Sequence, residues 1–260
     1  RAWIGEAYYR LENVVELATN PGEWAYDVGT NRIVLVASAR PEGVVLPYLD
    51  RVVEVAGSDD GAKVVHDVCF QHMAFKHGRR ISFTVGRTSL QHDWEQYDEP
   101  NGLLRVRFAD RVTAKECSFL ETAGTGVRLD LRALLCSVDH CTFHEVGGTG
   151  VAVAGFGPGS RDQNGYHSIC GNQFTEIGTL WIHSSAIFLS QSSNCRIAHN
   201  HISECHYCGI VLSGLRAPLF TERSDRDTEG PRTIRWDEVG ANPKTWDTLL
   251  GFLHSRNNVI

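Results

Sequence analysis

The chain carries an imperfect repeat of short apolar segments. In each repeat an aromatic or aliphatic residue, here called the anchor, follows another apolar residue by five positions, and the later anchors recur every 24 to 31 residues. The five pairs are Val65/Phe70, Ala114/Phe119, Val138/Phe143, Ile169/Phe174 and Ile197/Ile202. Around the anchors, apolar and polar residues alternate over a few positions and stop at Gly, Asn or Ser, which is typical of short β-strands.

Acidic and glycine positions recur in phase with the anchors. Two residues after the last four anchors stand Glu121, Glu145, Glu176 and Glu204. A second apolar pair then follows, at Val127/Leu129, Val151/Val153, Ile187/Leu189 and Ile210/Leu212, with Gly126, Gly150 and Gly209 directly before three of these pairs. Strands this short cannot bury an apolar face alone, whereas stacking one coil of chain on the next buries that face and pairs the backbones in parallel ladders. The sequence therefore predicts an all-β fold, a right-handed parallel β-helix solenoid.

Equivalent residues of successive coils should stack in such a fold. The expected stacks are Phe119/Phe143, Cys117/Cys141 and an amide ladder between Asn172 and Asn200. Two other architectures fit less well, since a βαβ sheet needs amphipathic helices that these spacings do not contain, and a leucine-rich repeat needs a leucine-dominated strand.

The first part of the chain has a different pattern. Residues 1–48 predict a small β-rich flank or the end of an accessory β domain, because 22–27 and 32–36 are strand-like and are joined by a turn-like stretch, as in a β-hairpin. Residues 49–260 are assigned to the β-helix.

Two loop insertions interrupt the predicted β-helix, at about 76–104 and 215–254. The second contains Asn242-Pro243 ahead of an apolar periodicity that indicates a short helix. The last six residues, 255–260, repeat the pattern of 192–197. We therefore expect the chain to stop inside a coil, truncated at its C-terminal end, and the natural protein to continue past Ile260.

Composition narrows the classes of partner. The chain has 260 residues, a formal net charge of -6 and 42% hydrophobic residues, which is ordinary for a globular protein. Mild acidity argues against nucleic acid and anionic membranes as partners, and the apolar stretches are too short to span a bilayer. The eight cysteines partly share repeat positions, so buried free thiols are favoured over a disulfide framework, and the single CxxC at Cys205 and Cys208 lacks the context of a metal or redox site.

Several segments resemble a known group of proteins. Segments 8–14 (YYRLENV) and 21–27 (PGEWAYD) are similar to the entry segment of β-helical carbohydrate-active proteins, and 183–187 (HSSAI), 199–202 (HNHI) and 207–210 (YCGI) are similar to their central coils. The nearest relatives in this resemblance are β-helical glycoside hydrolases of the fucosidase, xylanase or xylosidase type, within the pectate-lyase-like superfamily. The resemblance implies a secreted, periplasmic or cell-surface protein, monomeric in its full-length form, that hydrolyses plant or algal polysaccharide with a carboxylate pair and no cofactor.

The candidate catalytic residues are Glu204, Asp130 and His206. Glycoside hydrolysis needs one protonated and one ionised carboxyl group, and the recurring glutamates would be spaced like neighbouring strands. The alternative is that these glutamates are solvated turn residues. The resemblance implies an Asp-rich stretch in a later coil, which is absent between Arg1 and Ile260, so the main carboxylates are expected beyond Ile260.

The candidate substrate-binding residues are histidines and aromatic residues near turns and insertions, namely His183, His201, Tyr207, Trp181, Trp94 and His92. Aromatic faces stack on sugar rings, although packing in the core competes as an explanation. His199 and His201 should share a face if their segment is extended. No complete set of metal ligands is evident, so no metal site is expected.

Two alternatives to a glycoside hydrolase stay open. A polysaccharide lyase would need clustered aspartates for calcium and an arginine base, and this cluster is not evident. A non-catalytic β-helix could instead serve as a carbohydrate-binding or surface scaffold. The bound partner in each case is a polysaccharide or oligosaccharide.

Overall fold

The computed structural model describes residues 13–58, 61–80, 101–155, 162–213 and 255–260. The chain divides into two compact units, Arg1–Leu46 and Pro47–Ile260. The described part is almost entirely β-structure, with one short 3₁₀ turn at Val15–Leu17. Within it, no helix has the length and hydrophobicity needed to cross a membrane.

The smaller unit contains the predicted hairpin. Strands β1 (Trp24–Asp27) and β2 (Arg32–Leu35) pair antiparallel. The Asp27 carboxylate closes the turn, because it accepts hydrogen bonds from the Gly29 N–H (2.9 Å) and the Thr30 hydroxyl (2.6 Å). A turn stabilised by an aspartate side chain is the local reason that the two strands meet.

The larger unit consists of short strands that pair in parallel. They are β3 (Arg51–Ala56), β4 (Val65–Gln71), β5 (Ala74–Lys76), β6 (Gly102–Lys115), β7 (Ser118–Thr122), β8 (Val127–Leu134), β9 (Ser137–Asp139), β10 (Thr142–Val146), β11 (Val151–Ala154), β12 (Asn164–Gly165), β13 (Ser168–Cys170), β14 (Gln173–Ile177), β15 (Ser185–Ser190), β16 (Arg196–Ala198), β17 (His201–Cys205) and β18 (Cys208–Ser213).

These strands form two parallel sheets that the chain visits in turn. The first sheet has the order β5-β7-β10-β14-β17. The second sheet contains two ladders, and we call β3-β6-β8-β11-β15-β18 ladder one and β4-β6-β9-β13-β16 ladder two. The long strand β6 contributes its first half to ladder one and its second half to ladder two. Each passage of the chain therefore lies directly on the previous one.

A column of aromatic rings forms the centre of the core. Phe119, Phe143 and Phe174 are fully buried, and successive ring centroids lie 4.9 and 4.6 Å apart with nearly parallel planes. Ile202 continues the column in the next coil. The predicted Phe119/Phe143 stack is thus confirmed.

The first of the five predicted anchors is wrong by one strand. Phe70 pairs with Ala114 in ladder two, whereas Phe75 pairs with Phe119 and stacks on it at 4.9 Å. Phe70 and Phe75 are themselves five residues apart, so the spacing rule fits either one. Only the pairing of strands decides which ring enters the column.

Single residues in the left-handed region turn the chain from one strand to the next. One such column lies at the ends of the strands of the first sheet, where the φ angles are between 48° and 60°. It contains His77, directly after β5, and the penultimate residues of β7, β10, β14 and β17, which are Glu121, Glu145, Glu176 and Glu204. Another column separates ladder one from ladder two, and it contains Asp67, Arg111, Leu135, Tyr166, Asn194 and Asn257. The stacked coils thus repeat one backbone bend at equivalent positions, which keeps successive strands in phase.

Polar side chains stack at the other corners. The Asn172 amide N–H donates to Asn200 Oδ1 at 2.9 Å, and Asn200 in turn donates to the Ile169 carbonyl at 2.8 Å. The predicted asparagine ladder is confirmed. All eight cysteines are free thiols, and Cys117 and Cys141 are buried in adjacent coils as expected, whereas Cys69 is exposed.

The predicted similarity between segments 255–260 and 192–197 is also confirmed. Val259 pairs with Arg196, and Asn258 Oδ1 accepts the Cys195 N–H at 2.9 Å. The two predicted insertions, including the helix after Asn242-Pro243, fall largely on residues 81–100 and 214–254, which lie outside the described residues.

Candidate functional site

Ladder one has a charged outer face. Val127 and Leu129 of β8 point into the core, so the alternating Arg128 and Asp130 point away from it, as does Arg105 of β6. These three side chains nevertheless are at most 1% exposed. We call the outer side of β6 and β8 the covered face.

The covered face is held together by charge-assisted hydrogen bonds. Arg105 donates to Asp130 through Nη2 at 2.7 Å and through Nε at 3.0 Å, and Arg128 Nε donates to the same carboxylate at 2.7 Å. Glu54 of β3 lies 3.5 Å from Arg105. The guanidinium groups thus converge on one carboxylate from two adjacent coils.

This arrangement determines the protonation of Asp130. Burial alone raises the pKa of this carboxyl, but Arg128 and Arg105 together outweigh burial and hold the pKa below its usual value. Asp130 therefore stays ionised at neutral pH. An ionised Asp130 can orient the two arginines, but it has no proton to donate to a leaving group, as the general acid of a glycosidase must.

The covered face changes character along ladder one. In β11 the residues equivalent to Arg128 and Asp130 are Ala152 and Ala154, and in β15 they are Phe188 and Ser190. The outer side is therefore charged at β6 and β8, and small or apolar at the following strands.

Four of the predicted residues lie in two stacked turns between the first sheet and ladder one. Trp181 and His183 lie between β14 and β15, and His206 and Tyr207 lie between β17 and β18. The His183 and Tyr207 rings meet edge to face with centroids 5.4 Å apart. The structure thus brings predicted binding residues together across two coils.

Trp181 is buried and anchors this turn. It is 3% exposed, and its indole N–H donates to the Ala123 carbonyl at 3.1 Å. The Arg80 guanidinium lies 5.7 Å from its ring centroid, in a cation–π contact. His206 and Tyr207 are exposed and His183 is half-buried, so His206 and Tyr207 are the side chains of this set that a ligand reaches most easily.

The glutamate column (Glu121, Glu145, Glu176 and Glu204) follows the outer edge of the first sheet. Lys76 pairs with Glu121 at 2.8 Å and keeps the pKa of that carboxyl below its usual value through a hydrogen bond. His144 Nε2 lies 3.0 Å from Glu176. Each glutamate occupies the same left-handed position of its coil, so the repeat places the four side chains in one column.

In one part of this column a histidine and two glutamates lie close together. Single ligand atoms of His144, Glu145 and Glu176 all lie within 4.8 Å of one another. A nitrogen and two carboxylates are a set that zinc accepts. The Glu145 and Glu176 carboxylates are therefore neighbours, as the carboxyl pair of a retaining glycosidase must be, where the two groups lie roughly 5 Å apart.

The histidine pair departs from the sequence expectation. His199 has a left-handed backbone, so the segment from His199 to His201 is not extended and alternation does not apply. Both residues are exposed, as is Glu204. His92 and Trp94 lie outside the described residues, as do Asp93, Asp98, Tyr97, Asp225 and Trp246.

Sequence reasoning missed Arg105 and Arg128. The sequence does contain a pattern that could have revealed them. Both arginines occupy the same position of the repeat, directly after Leu104 and Val127, which pair in ladder one. An arginine recurring between core residues of adjacent strands marks a charged outer face.

Comparison with known proteins gives a fold relationship. No protein-family profile matches the chain, and no curated protein matches its sequence. Among solved structures, the chain is similar to one described as "Glycoside hydrolase", with a TM-score of 0.60 and 21% sequence identity. The similarity covers 76% of this chain and 40% of that protein, so the chain spans less than half of its length. Identity this low shows a shared fold only.

Proposed function

We propose that this chain is part of a carbohydrate-active right-handed parallel β-helix of the pectate-lyase-like kind, and that the whole protein is a glycoside hydrolase of plant or algal polysaccharide. The observation that carries the proposal is the structural similarity to a glycoside hydrolase over 76% of the chain. The stacked parallel ladders and the segments that resemble β-helical hydrolases support it. A secreted or cell-surface location and a monomeric state belong to the same proposal.

The geometry ranks the candidate catalytic groups. Glu145 and Glu176 are the favoured pair because carboxylate atoms of the two residues lie within 4.8 Å of each other, and Glu204 continues their column in the next coil. Asp130 is buried and bound by two arginines, so we assign it a positioning role on the covered face. His206 and Tyr207 are the reachable members of the turn cluster.

A glycosidase screen tests the proposal. The chain, and separately the product of its complete reading frame, would be incubated with fucosides, xylosides and plant cell-wall polysaccharides, and reducing sugar would be measured. Hydrolysis by either protein supports the proposal. If both proteins fail to hydrolyse and to bind every glycan tested, the proposal is overturned. An unsaturated product would indicate a lyase instead.

Two variants locate the chemistry if the chain itself is active. Glu145→Gln and Glu176→Gln should each lower kcat by at least about 100-fold if these groups act as the pair. Glu121→Gln is the matched control, because Glu121 occupies the same column but lies outside the group of His144, Glu145 and Glu176 and pairs with Lys76.

A non-catalytic scaffold is the second candidate. The observation that favours it is that Asp130, the acid on the covered face, is neutralised by Arg105 and Arg128. Glycan binding without hydrolysis by the complete protein would select this alternative.

A further inference from the structure

A polar cleft of about 470 Å³ lies at the corner where ladder one passes into ladder two. Tyr166, Asn194 and Asn257 line it from three successive coils, and Asp162 and Arg256 line its side. The volume falls in the range of small-ligand sites, roughly 300–1,000 Å³. None of these five residues was a candidate from the sequence.

The cleft offers one aromatic face and two amides in a line. Tyr166 is 58% exposed although it is a large side chain. The Asn257 amide donates to Asn194 Oδ1 at 3.3 Å, and within the described residues Asn194 Nδ2 and Asn257 Oδ1 have no other partner. A donor and an acceptor therefore stand beside an exposed ring, spaced by the coil repeat.

Hydrogen bonds hold the floor of the cleft in place. The Tyr166 N–H donates to the Ser193 carbonyl at 2.9 Å, and the Asn194 N–H donates to the Arg256 carbonyl at 3.0 Å. Asn164 is buried beneath, where its amide donates to the Leu131 carbonyl at 3.2 Å. Pre-organised donors and acceptors bind a ligand at lower entropic cost.

The charges of the cleft are balanced. Arg256 Nη2 lies 3.2 Å from Asp162, and both side chains are about half exposed. A paired guanidinium and carboxylate add donors and acceptors but no net charge. This favours a neutral polyhydroxylated ligand over a phosphate or a uronate, either of which would select an unbalanced positive site.

We propose that this cleft binds a short stretch of a neutral saccharide, with a sugar ring stacked on Tyr166 and hydroxyl groups bonded to Asn194, Asn257 and the Asp162–Arg256 pair. The inference rests on the proposed function, because it names the sugar class that the protein binds. It adds a binding subsite apart from the glutamate column and the covered face.

Calorimetric titration of the intact chain tests this subsite. The probes are xylohexaose, cellohexaose and mannohexaose, with a galacturonate trimer as the charged comparison. We expect at least one neutral probe to bind, Tyr166→Ala to weaken it at least tenfold, and Tyr166→Phe to retain it. Asn194→Gly, which keeps the left-handed bend, should also weaken binding. Leu135→Ala is the matched control, because Leu135 is the exposed residue of the same column one coil earlier.

The outcomes separate this proposal from the proposed function. Undiminished binding by Tyr166→Ala and Asn194→Gly would overturn the subsite while carbohydrate activity stands. Tighter binding of the galacturonate trimer would overturn the assignment to neutral sugars. Absence of all binding and of hydrolysis by both the chain and the product of the complete reading frame would remove both proposals.

Discussion

Two buried titratable residues, Asp130 and His167, are held in opposite charge states by their surroundings. Asp130 is kept ionised by two arginines, whereas His167 is kept neutral by burial, which lowers its pKa to about 4. The Cys136 N–H lies 3.2 Å from His167 Nδ1, so Nε2 carries the proton and donates to Asn164 at 3.0 Å. Each residue has its hydrogen-bond partners in only one protonation state.

We expect Asp130→Asn to lower the free energy of unfolding by about 3–5 kcal/mol, because two buried guanidinium groups lose their common carboxylate. Urea denaturation measures this. The control is Asp110→Asn, which breaks a partly exposed pair with Arg132 (2.7 Å) and should cost about 1 kcal/mol or less. Equal effects of the two substitutions would contradict the proposed role of Asp130.

His167 should make stability fall in mild acid. Its folded-state pKa is about 4 and its usual value is 6.5, so between these pH values the unfolded chain binds more protons than the folded one. Stability is therefore full above pH ~6.5 and declines by about 3 kcal/mol as the pH falls to ~4. Denaturation at several pH values should show a shallower decline for His167→Gln, and an unchanged slope would refute the assignment.

At the scale of elements, the corners decide how the strands stack. The glycines at 126 and 150 let the backbone of one coil approach the next, since a Cβ on Gly150 would lie 2.6 Å from the Ala186 carbonyl oxygen and 2.8 Å from the Phe174 ring. The third glycine of this series, Gly209, is different. A Cβ there would lie 3.6 Å from Ile202, which is ordinary contact.

We therefore expect Gly150→Ala to destabilise the protein by about 1–3 kcal/mol, because backbone and ring must both move. Gly209→Ala should change stability by about 0.5 kcal/mol or less. Thermal melts of the two variants beside the wild type make the comparison. A larger loss for Gly209→Ala would show that the coils pack differently at this corner.

At the scale of the whole molecule, the main hydrophobic cluster among the described residues lies in the larger unit. The cluster of buried apolar residues runs from Val55 to Ile197, all within Pro47–Ile260. A unit with its own contiguous core has the main requirement for independent folding.

We expect a fragment of residues 47–260 to give a β-sheet circular dichroism spectrum and a cooperative melt, with a midpoint within a few degrees of the intact chain. The control is a fragment that begins at residue 74 and so lacks β3 and β4, which pair with β6 and contribute Val55 to the core. It should melt at a clearly lower temperature. A non-cooperative melt of the longer fragment would contradict the assignment of the core to that unit.

Much of the architecture could be predicted because the same types of residue recur at equivalent positions of successive coils. Apolar spacing and the paired asparagines indicated the parallel stacking. Two strand-like segments around a turn indicated the hairpin of the smaller unit, and the likeness of 255–260 to 192–197 gave the phase of the last segment. The candidate site could be predicted less well. His183 and Tyr207 were predicted as binding residues, and their rings are in contact. Arg105, Arg128 and Tyr166 were not predicted, because their roles depend on residues of the neighbouring coil.

The sequence by itself determined which residues alternate and which positions repeat, since these depend on local spacing and on nearest-neighbour stacking. Only the tertiary structure decided that Phe75 rather than Phe70 enters the aromatic column, that Asp130 is held between two arginines, and that Tyr166, Asn194 and Asn257 line one cleft. These facts depend on which strands pair and which faces are covered. Pairing and burial arise from contacts between residues far apart in the chain, so no local pattern encodes them.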